Sequence, residues 1–324
     1  MKKLVFQYDP APLHQNPALQ AWLQVAGSDA LPVAIDHFIG QHDRSRLFRF
    51  HGAGDQGRAV IAKTAEPKSL EKEYNVYTQV LPHIPLPRLK CYGIGRDDEG
   101  RTWLFLEEAR GVSYRENDSL HVEQASYWLG AFHAATTGRF HEWGFPEIGF
   151  DHYLPTLQEA IDRIAYFRKE AEREYELGRL IGDLEAYLFR IRSEWKDIKQ
   201  KLAILPSCVA HLDFVKKNIR IDFTGSEPEV QVMDWGSSRY GLPIRDMAGL
   251  DMPAYQEAGH RMGMKLTREE LNWGEQAGRL VKTVLYLHEE MSNPELLERA
   301  KSIDNLKAYE QTFSSMWSKV GRSE

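Results

Sequence analysis

Apolar residues fall into two rhythms along the chain. As far as Glu107 they come in short runs, with Leu47 to Phe50, Ala59 to Ala62 and Trp103 to Leu106 bounded by Gly and Asp clusters. Runs of this length, built of β-branched, aromatic and aliphatic side chains, predict strands. One helix interrupts them: Leu70, Tyr74, Tyr77 and Leu81 recur at helical spacing, with Ser69 as N-cap and Pro82 as the stop. The order strand, strand, strand, helix, strand, strand describes a small α+β unit. Beyond Gly111 the rhythm turns helical. One helix is predicted around Trp128 to His133, and one continuous apolar stripe runs from Leu180 to Leu202. A further helix starts at Thr267, whose spacing to Glu270 makes a capping box, and continues through Leu280, Val284 and Leu287. A single β island, Asn218 to Asp234, lies among these helices. The change of rhythm near residues 107 to 112 divides the chain into a strand-rich part, 1–107, and a helical part, 108–324.

Composition narrows the class. The 324 residues are about two domains' worth, and 42% hydrophobic with 27% charged residues is ordinary globular material. A net charge of −6 argues against a general nucleic-acid coat. Cys91 and Cys208 stand far apart and in no CxxC, so neither a metal knuckle nor a disulfide framework is indicated, and a reducing compartment fits. After Lys2 and Lys3 only Leu4, Val5 and Phe6 precede polar residues and prolines, too short for a signal-peptide core, and no stretch approaches the roughly 18 apolar residues of a membrane span. The expectation is a cytoplasmic protein without nucleic-acid or membrane partners.

Candidate chemistry sits in the β island. Ile219 and Ile221, then Val230 and Val232, alternate with polar residues on either side of Gly225 and Ser226, the pattern of an antiparallel hairpin. A chain folded back on itself sets the start of its first strand beside the end of its second, so Asn218 and Asp234 are expected to be neighbours. An amide oxygen beside a carboxylate suits Mg²⁺, which keeps waters and takes further ligands from a substrate phosphate. Asp213, five positions before Asn218 in the loop that feeds the hairpin, is placed to accept a proton from an attacking hydroxyl. Any one of these residues alone reads as a turn or capping group. Together they read as a phosphate and metal site.

The pattern His-x-Asp-x-x-x-x-Asn formed by His211, Asp213 and Asn218, followed by a strand that ends in Asp234, resembles the catalytic and metal-binding segments of the aminoglycoside phosphotransferase and choline kinase family, relatives of the protein kinases. Other stretches agree in order and spacing. Ala59 to Lys63 resembles the strand whose lysine contacts the nucleotide phosphates, and Glu71 to Glu73 the acidic element of the next helix. Leu104 to Gly111 resembles the segment that links the lobes, Trp128 to His133 the Leu-x-x-Leu-His helix, and Leu242 to Asp246 the segment after the metal aspartate. The resemblance covers about residues 40 to 111 and 205 to 250.

It implies a two-lobed, protein-kinase-like α+β fold with a small strand-rich N-lobe and a larger, mostly helical C-lobe. It also implies ATP or GTP with Mg²⁺ as cofactors, and phosphoryl transfer to a hydroxyl of a small polar molecule, aminoglycoside-, choline- or homoserine-like. In that family logic Asp213 is the catalytic base or hydroxyl-orienting group, Asn218 and Asp234 are the magnesium ligands, Lys63 meets the nucleotide phosphates and Glu73 orients Lys63. Backbone groups at Glu107 and Ala109 hold adenine, while His211 and Asp246 brace the catalytic loop. A non-catalytic nucleotide-binding scaffold is the alternative, disfavoured by the joint presence of Lys63, Asp213, Asn218 and Asp234. A protein kinase is disfavoured because Asp234 to Asp246 leaves no room for a long activation loop.

The chain departs from the family pattern in places. Leu212 replaces the usual small residue between His and Asp, and Val215, Lys216 and Lys217 fill the stretch before Asn218. Lys216 joins Asp213 as a candidate catalytic group, because an ammonium on a flexible stem is a natural phosphoryl partner, and Lys217 shares that claim. Gly52, Gly54 and Gly57 match GxGxxG, yet a strand follows instead of a helix, so a hairpin turn is the reading. The phosphate-covering loop is placed at Gly40 to Ser45, between strands at Ala34 to Phe38 and Leu47 to Phe50, with Ser45 as a cofactor contact. For the acceptor, the charged stretch Arg163 to Glu174 and the helix after it are expected to form one wall of a cleft. A cationic acceptor would want carboxylates, which Asp251 and Glu257 are placed to supply.

Overall fold

The computed structural model describes residues 5–8, 12–39, 46–171, 174–293, 296 and 300–320. The first lobe is built on one antiparallel sheet. Its strands are β1 (Val5–Tyr8), β2 (Ala34–Ile39), β3 (Arg46–His51), β4 (Val60–Thr64), β5 (Cys91–Arg96) and β6 (Thr102–Glu107), laid in the order β1-β2-β3-β4-β6-β5. Successive side chains of β6 serve opposite faces. Trp103 and Phe105 join Phe50 and Val60 in a core closed by Ala18 and Trp22 of α1 (Pro17–Ala26), whereas Leu104 and Leu106 face Leu70 of α2 (Pro67–Asn75). A strand buried on both faces reads as a continuous apolar run.

Two features of this lobe differ from the sequence expectation. The first is α1, with β1 before it, in a segment where Pro10, Pro12 and Pro17 mask the pattern. Asn16 caps α1 by accepting from the Ala18 amide at 3.0 Å, and Pro17 occupies its first turn, where it needs no donor. The second is the start of α2. Glu66, not Ser69, is its N-cap, with one carboxylate accepting from the Lys68 and Ser69 amides at 3.2 and 2.9 Å. The helix passes into a π-helical turn at Val76–Val80, and Pro82 lies in a 3₁₀ turn at Leu81–His83. Gly52 to Gly57 fall between the antiparallel strands β3 and β4, as a hairpin connection.

The second lobe is mostly helical. It contains β7 (Val112–Ser113), α3 (Ser119–Thr136), α4 (Phe140–Trp143), β8 (Glu147–Ile148), α5 (Leu154–Ala171), α6 (Tyr175–Ser193) and α7 (Trp195–Leu202), then β9 (Cys208–Ala210), β10 (Ile219–Asp222), β11 (Glu229–Val232) and β12 (Arg239–Gly241). Helices α8 (Ile244–Met247), α9 (Met252–Arg261), α10 (Arg268–Glu290) and α11 (Ala300–Val320) complete it. The stripe from Leu180 to Leu202 belongs to two helices. The chain leaves helical geometry at Glu194, and Trp195 turns to stack on Phe150 at 4.2 Å and to donate its indole N–H to Asp151 at 3.0 Å. Thr267 and Glu270 form the capping box of α10. The hairpin forms with Ile219 opposite Val232 and Asp222 opposite Glu229, but residues 223–228 make a longer connection than a two-residue turn. No helix among the described residues is long and apolar enough to cross a membrane.

Candidate active site

The loop before the hairpin is held by one carboxylate. Asp246, buried at the start of the α8 turn, accepts the His211 amide at 2.5 Å and the Leu212 amide at 2.7 Å, and lies 3.4 Å from the His133 ring. Burial pushes its carboxyl up, but the adjacent His133 ring, the His211 ring and the His211 amide outweigh burial and hold it below the ordinary carboxylate range. Leu212 needs such a clamp. Its φ of 63° is left-handed, a conformation costing a bulky residue roughly 1–3 kcal/mol, and its side chain is buried in the helical core. His211 continues the brace. Its Nε2 donates to the Met233 carbonyl at 3.0 Å, which leaves Nδ1 to accept the Asp213 amide at 3.2 Å, and the Trp235 ring lies 4.5 Å away.

Asp213 emerges from this brace with its two oxygens in different roles. Oδ2 accepts from the Asn218 amide nitrogen at 2.9 Å and lies 3.0 Å from the Lys217 ammonium. Oδ1 has no hydrogen-bond partner among the described residues. Asn218 spends its nitrogen on the side chain and carbonyl of Asp213, both at 2.9 Å, and its own Oδ1 has no hydrogen-bond partner among the described residues. It is therefore Lys217, not Lys216, that the structure brings onto Asp213; the Lys216 side chain is exposed and makes no ion pair among the described residues.

Asp234 follows β11 in a left-handed conformation, φ 67°, which an aspartate tolerates. The next turn packs on α2 so closely that a Cβ on Gly236 would stand 2.1 Å from Ser69 Oγ. Asp234 thereby reaches Lys63 of β4, whose ammonium donates to Asp234 Oδ1 at 2.5 Å and to Glu73 Oε2 at 2.7 Å. Burial alone would lower the Lys63 pKa, but Glu73 and Asp234 raise it above its ordinary value, and the site keeps an ammonium. Burial pushes the Asp234 carboxyl up, and Lys63 holds it below the ordinary range. Glu73 is almost wholly buried and also receives the Asp234 amide at 3.2 Å.

No cluster of three His, Cys, Asp or Glu side chains among the described residues could enclose a metal. Asn218 Oδ1 and the second oxygen of Asp234, neither with a hydrogen-bond partner among the described residues, are oxygens of the type that Mg²⁺ takes alongside substrate phosphates and water.

At the end of β6, Glu107 pairs with Arg58 at 2.5 Å while its amide donates to the Lys90 carbonyl at 2.8 Å, and Ala109 packs against the core that contains Leu104. A cavity of about 490 Å³, lined by Leu89, Lys90, Glu107, Arg110 and Gln231 among others, opens beside this linker but includes neither Lys63 nor Asp213. Ser45 and the expected phosphate-covering loop, Gly40 to Ser45, lie outside the described residues.

The two carboxylates expected to meet a cationic acceptor each have a local partner. Asp251 caps α9 through the Ala254 amide at 2.9 Å, and Glu257 pairs with Arg261 at 2.6 Å. Of the charged stretch before α6, Arg168 pairs with Glu185 and Arg163 bonds Ser292 at 2.5 Å, so these groups tie helices together.

The profile of the phosphotransferase enzyme family matches residues 41–279. The chain belongs to this family. No curated protein matches it. Among solved structures it is similar to the GDP complex of wild-type aminoglycoside 2'-phosphotransferase-IIIa, at 11% identity over 93% of this chain and 99% of that one, TM-score 0.63. It is similar also to the GDP and kanamycin complex of APH(2")-IIia, at 14% identity over 94% and 99% of the two chains, TM-score 0.57. A thermostable mutant of aminoglycoside phosphotransferase APH(4)-Ia, in a ternary complex with ADP and hygromycin B, matches at 14% identity over 93% and 98%, TM-score 0.50. The fold is thus the two-lobed, kinase-like fold of aminoglycoside phosphotransferases.

Proposed function

We propose that this phosphotransferase moves the terminal phosphoryl group of ATP or GTP to the hydroxyl of a small polar molecule, with Mg²⁺ required. One observation carries the reading: the unengaged Oδ1 of Asp213 lies in the same loop and hairpin as two uncommitted metal-type oxygens, on Asn218 and Asp234, the latter joined to Lys63. Complexes of the structural relatives with GDP and with ADP support nucleotide binding.

Phosphoryl transfer passes through a loose transition state, so the protein contributes position and charge neutralisation. Asp213 Oδ1 accepts the acceptor hydroxyl's proton as the oxygen forms its bond to phosphorus and the nucleoside diphosphate leaves. Asn218 and Lys217 fix the other carboxylate oxygen and so aim the free one. Lys63, oriented by buried Glu73, exchanges Asp234 for nucleotide phosphate oxygens. Asn218 Oδ1 and Asp234 would hold Mg²⁺, which would supply neutralising charge at the phosphates. The Ala109 amide, which has no partner among the described residues, would hold adenine. Lys216 and Ser45 are assigned to phosphate contacts.

The test is nucleotide-dependent transfer, followed with MgATP and MgGTP across hydroxyl acceptors, in the wild type and Asp213→Asn. Transfer that the variant loses while still binding nucleotide supports the proposal. Nucleotide binding with no transfer to any acceptor returns the chain to the scaffold reading.

A further inference from the structure

Behind the clamp on the catalytic loop, α3 and α9 meet backbone to backbone. Ser126, Gly130 and His133 follow at steps of four and three residues and so share one face of α3. The Asp251 amide, at the start of α9, donates to Ser126 Oγ at 2.8 Å, and a Cβ on Gly130 would stand 2.2 Å from the Tyr255 carbonyl oxygen. That contact sets Tyr255 of α9 beside the next polar group on the face. Its hydroxyl lies 2.8 Å from His133 Nδ1. The other ring nitrogen, Nε2, is buried, makes no hydrogen bond, and has Asp246 Oδ2 at 3.4 Å. The same oxygen accepts the His211 amide at 2.5 Å. A file of side chains therefore runs from α9 through α3 to the residues beside Asp213, and none of Tyr255, His133 and Asp246 is more than 2% exposed.

The donors and acceptors in this file admit one satisfied arrangement. A neutral imidazole carries one N–H, an imidazolium two, and a tyrosine hydroxyl one proton. The Tyr255 hydroxyl has no acceptor other than Nδ1 among the described residues. Burial, with Cys208 and Asp246 adding to it, raises that hydroxyl well above its ordinary pKa, so it keeps its proton. With the ring proton on Nδ1, the Tyr255 O–H would have no acceptor and a lone pair on Nε2 would face a carboxylate. With protons on both nitrogens the Tyr255 O–H is again stranded, and a buried cation is added. Only a proton on Nε2 leaves no donor stranded: Tyr255 donates to Nδ1, and the Nε2 N–H faces Asp246. The 3.4 Å spacing then has a reason. It is too long for a hydrogen bond, so the ring faces the carboxylate without drawing it away, and both oxygens stay with the His211 and Leu212 amides. Without the tyrosine proton Nδ1 is open to a second proton, and an imidazolium would compete with the His211 amide for Oδ2.

We propose that Tyr255 is a positioning residue for phosphoryl transfer: by donating to Nδ1 it keeps His133 neutral, with its proton on Nε2, and Asp246 thereby stays committed to the two amides that place Asp213. The link to turnover rests on the phosphotransferase reading above, whereas the protonation of His133 does not. The experiment combines nitrogen NMR of ¹⁵N-histidine-labelled protein near neutral pH, with the His133 signals identified by their loss in His133→Gln, hydrogen exchange of the His211 and Leu212 amides, and transfer from MgATP and MgGTP to homoserine, choline and kanamycin. The expected wild-type ring is neutral and protonated on Nε2. Tyr255→Phe should move the Nδ1 resonance, speed exchange of both amides by about 10-fold and lower kcat by about 10-fold, with KM for nucleotide and acceptor unmoved. His133→Gln, whose amide nitrogen takes the place of Nε2, should keep most of the turnover that His133→Leu loses. A merely structural role would lower the denaturant midpoint and leave kcat and the two amides as they are. A wild-type ring protonated on Nδ1 or on both nitrogens overturns the proposal, and so does a Tyr255→Phe variant with wild-type exchange and turnover. A protein that shows the expected ring and exchange behaviour but transfers to no acceptor overturns the phosphotransferase reading and leaves the His133 assignment standing.

Discussion

Asp246→Asn isolates the clamp on the catalytic loop. The substitution keeps shape and size but turns one of the two oxygens that accept the His211 and Leu212 amides, at 2.5 and 2.7 Å, into a donor. A hydrogen bond to a buried charge contributes about 1.5–3 kcal/mol, and a buried donor facing another donor costs about 1–3 kcal/mol more. Relaxation of the left-handed Leu212 returns part of this, so the variant should be less stable by about 3–5 kcal/mol in denaturant unfolding. The same relaxation shifts Asp213, and a displacement of about 1 Å is enough to lower turnover by about 100-fold with nucleotide affinity unchanged. The pH dependence has a definite sign. Because the folded chain holds the Asp246 carboxyl below its ordinary value of 3.8, its stabilising contribution is complete above that pH and is lost as pH falls through the folded value. The stability gap between wild type and variant should therefore be constant near neutrality and close below pH 3.8. An Asn variant that unfolds at the wild-type denaturant midpoint would refute the clamp.

Asp234→Ala should weaken Mg²⁺-dependent nucleotide binding, whereas Asp213→Ala should leave it unchanged and abolish transfer; titration calorimetry with and without chelator separates the two. Lys63→Met removes the charge that holds Asp234 down, so burial should carry that carboxyl to a higher pKa, read by NMR titration of labelled aspartate, and an unmoved titration would count against the ion pair. Gly236→Ala forces a methyl to within 2.1 Å of Ser69 Oγ and should destabilise by about 1–3 kcal/mol, yet in a Ser69→Ala background the remaining neighbour is at 3.4 Å and most of the loss should be recovered, a coupling that a double-mutant cycle measures.

What could be read from the sequence was local. The strands at Leu47 to Phe50, Val60 to Ala62 and Trp103 to Leu106, the island hairpin and the α10 capping box are each set by a few consecutive residues, and the alternation of Ile219, Ile221, Val230 and Val232 fixes the hairpin register. Where neighbours compete for one role, pattern alone chose wrongly: the Glu66 carboxylate caps α2 in place of the Ser69 hydroxyl. One apolar stripe also concealed a helix break, because Trp195 keeps the spacing of the stripe while turning onto Phe150. The surroundings of Asp213 could not be read this way. Local pattern gives no sign that Leu212 takes a left-handed conformation, nor that the ammonium 3.0 Å from Asp213 belongs to Lys217 and not to Lys216.

The three-way contact of Lys63, Glu73 and Asp234 has a consequence for the order of events. Without nucleotide the ammonium already stitches β4 to the end of the hairpin, so the two lobes are latched before any ligand enters. Glu73 keeps its share of the lysine throughout, and only the Asp234 strand of the stitch has to part. Phosphate oxygens arriving at the site would bring the replacement anion that lets the lysine release that carboxylate.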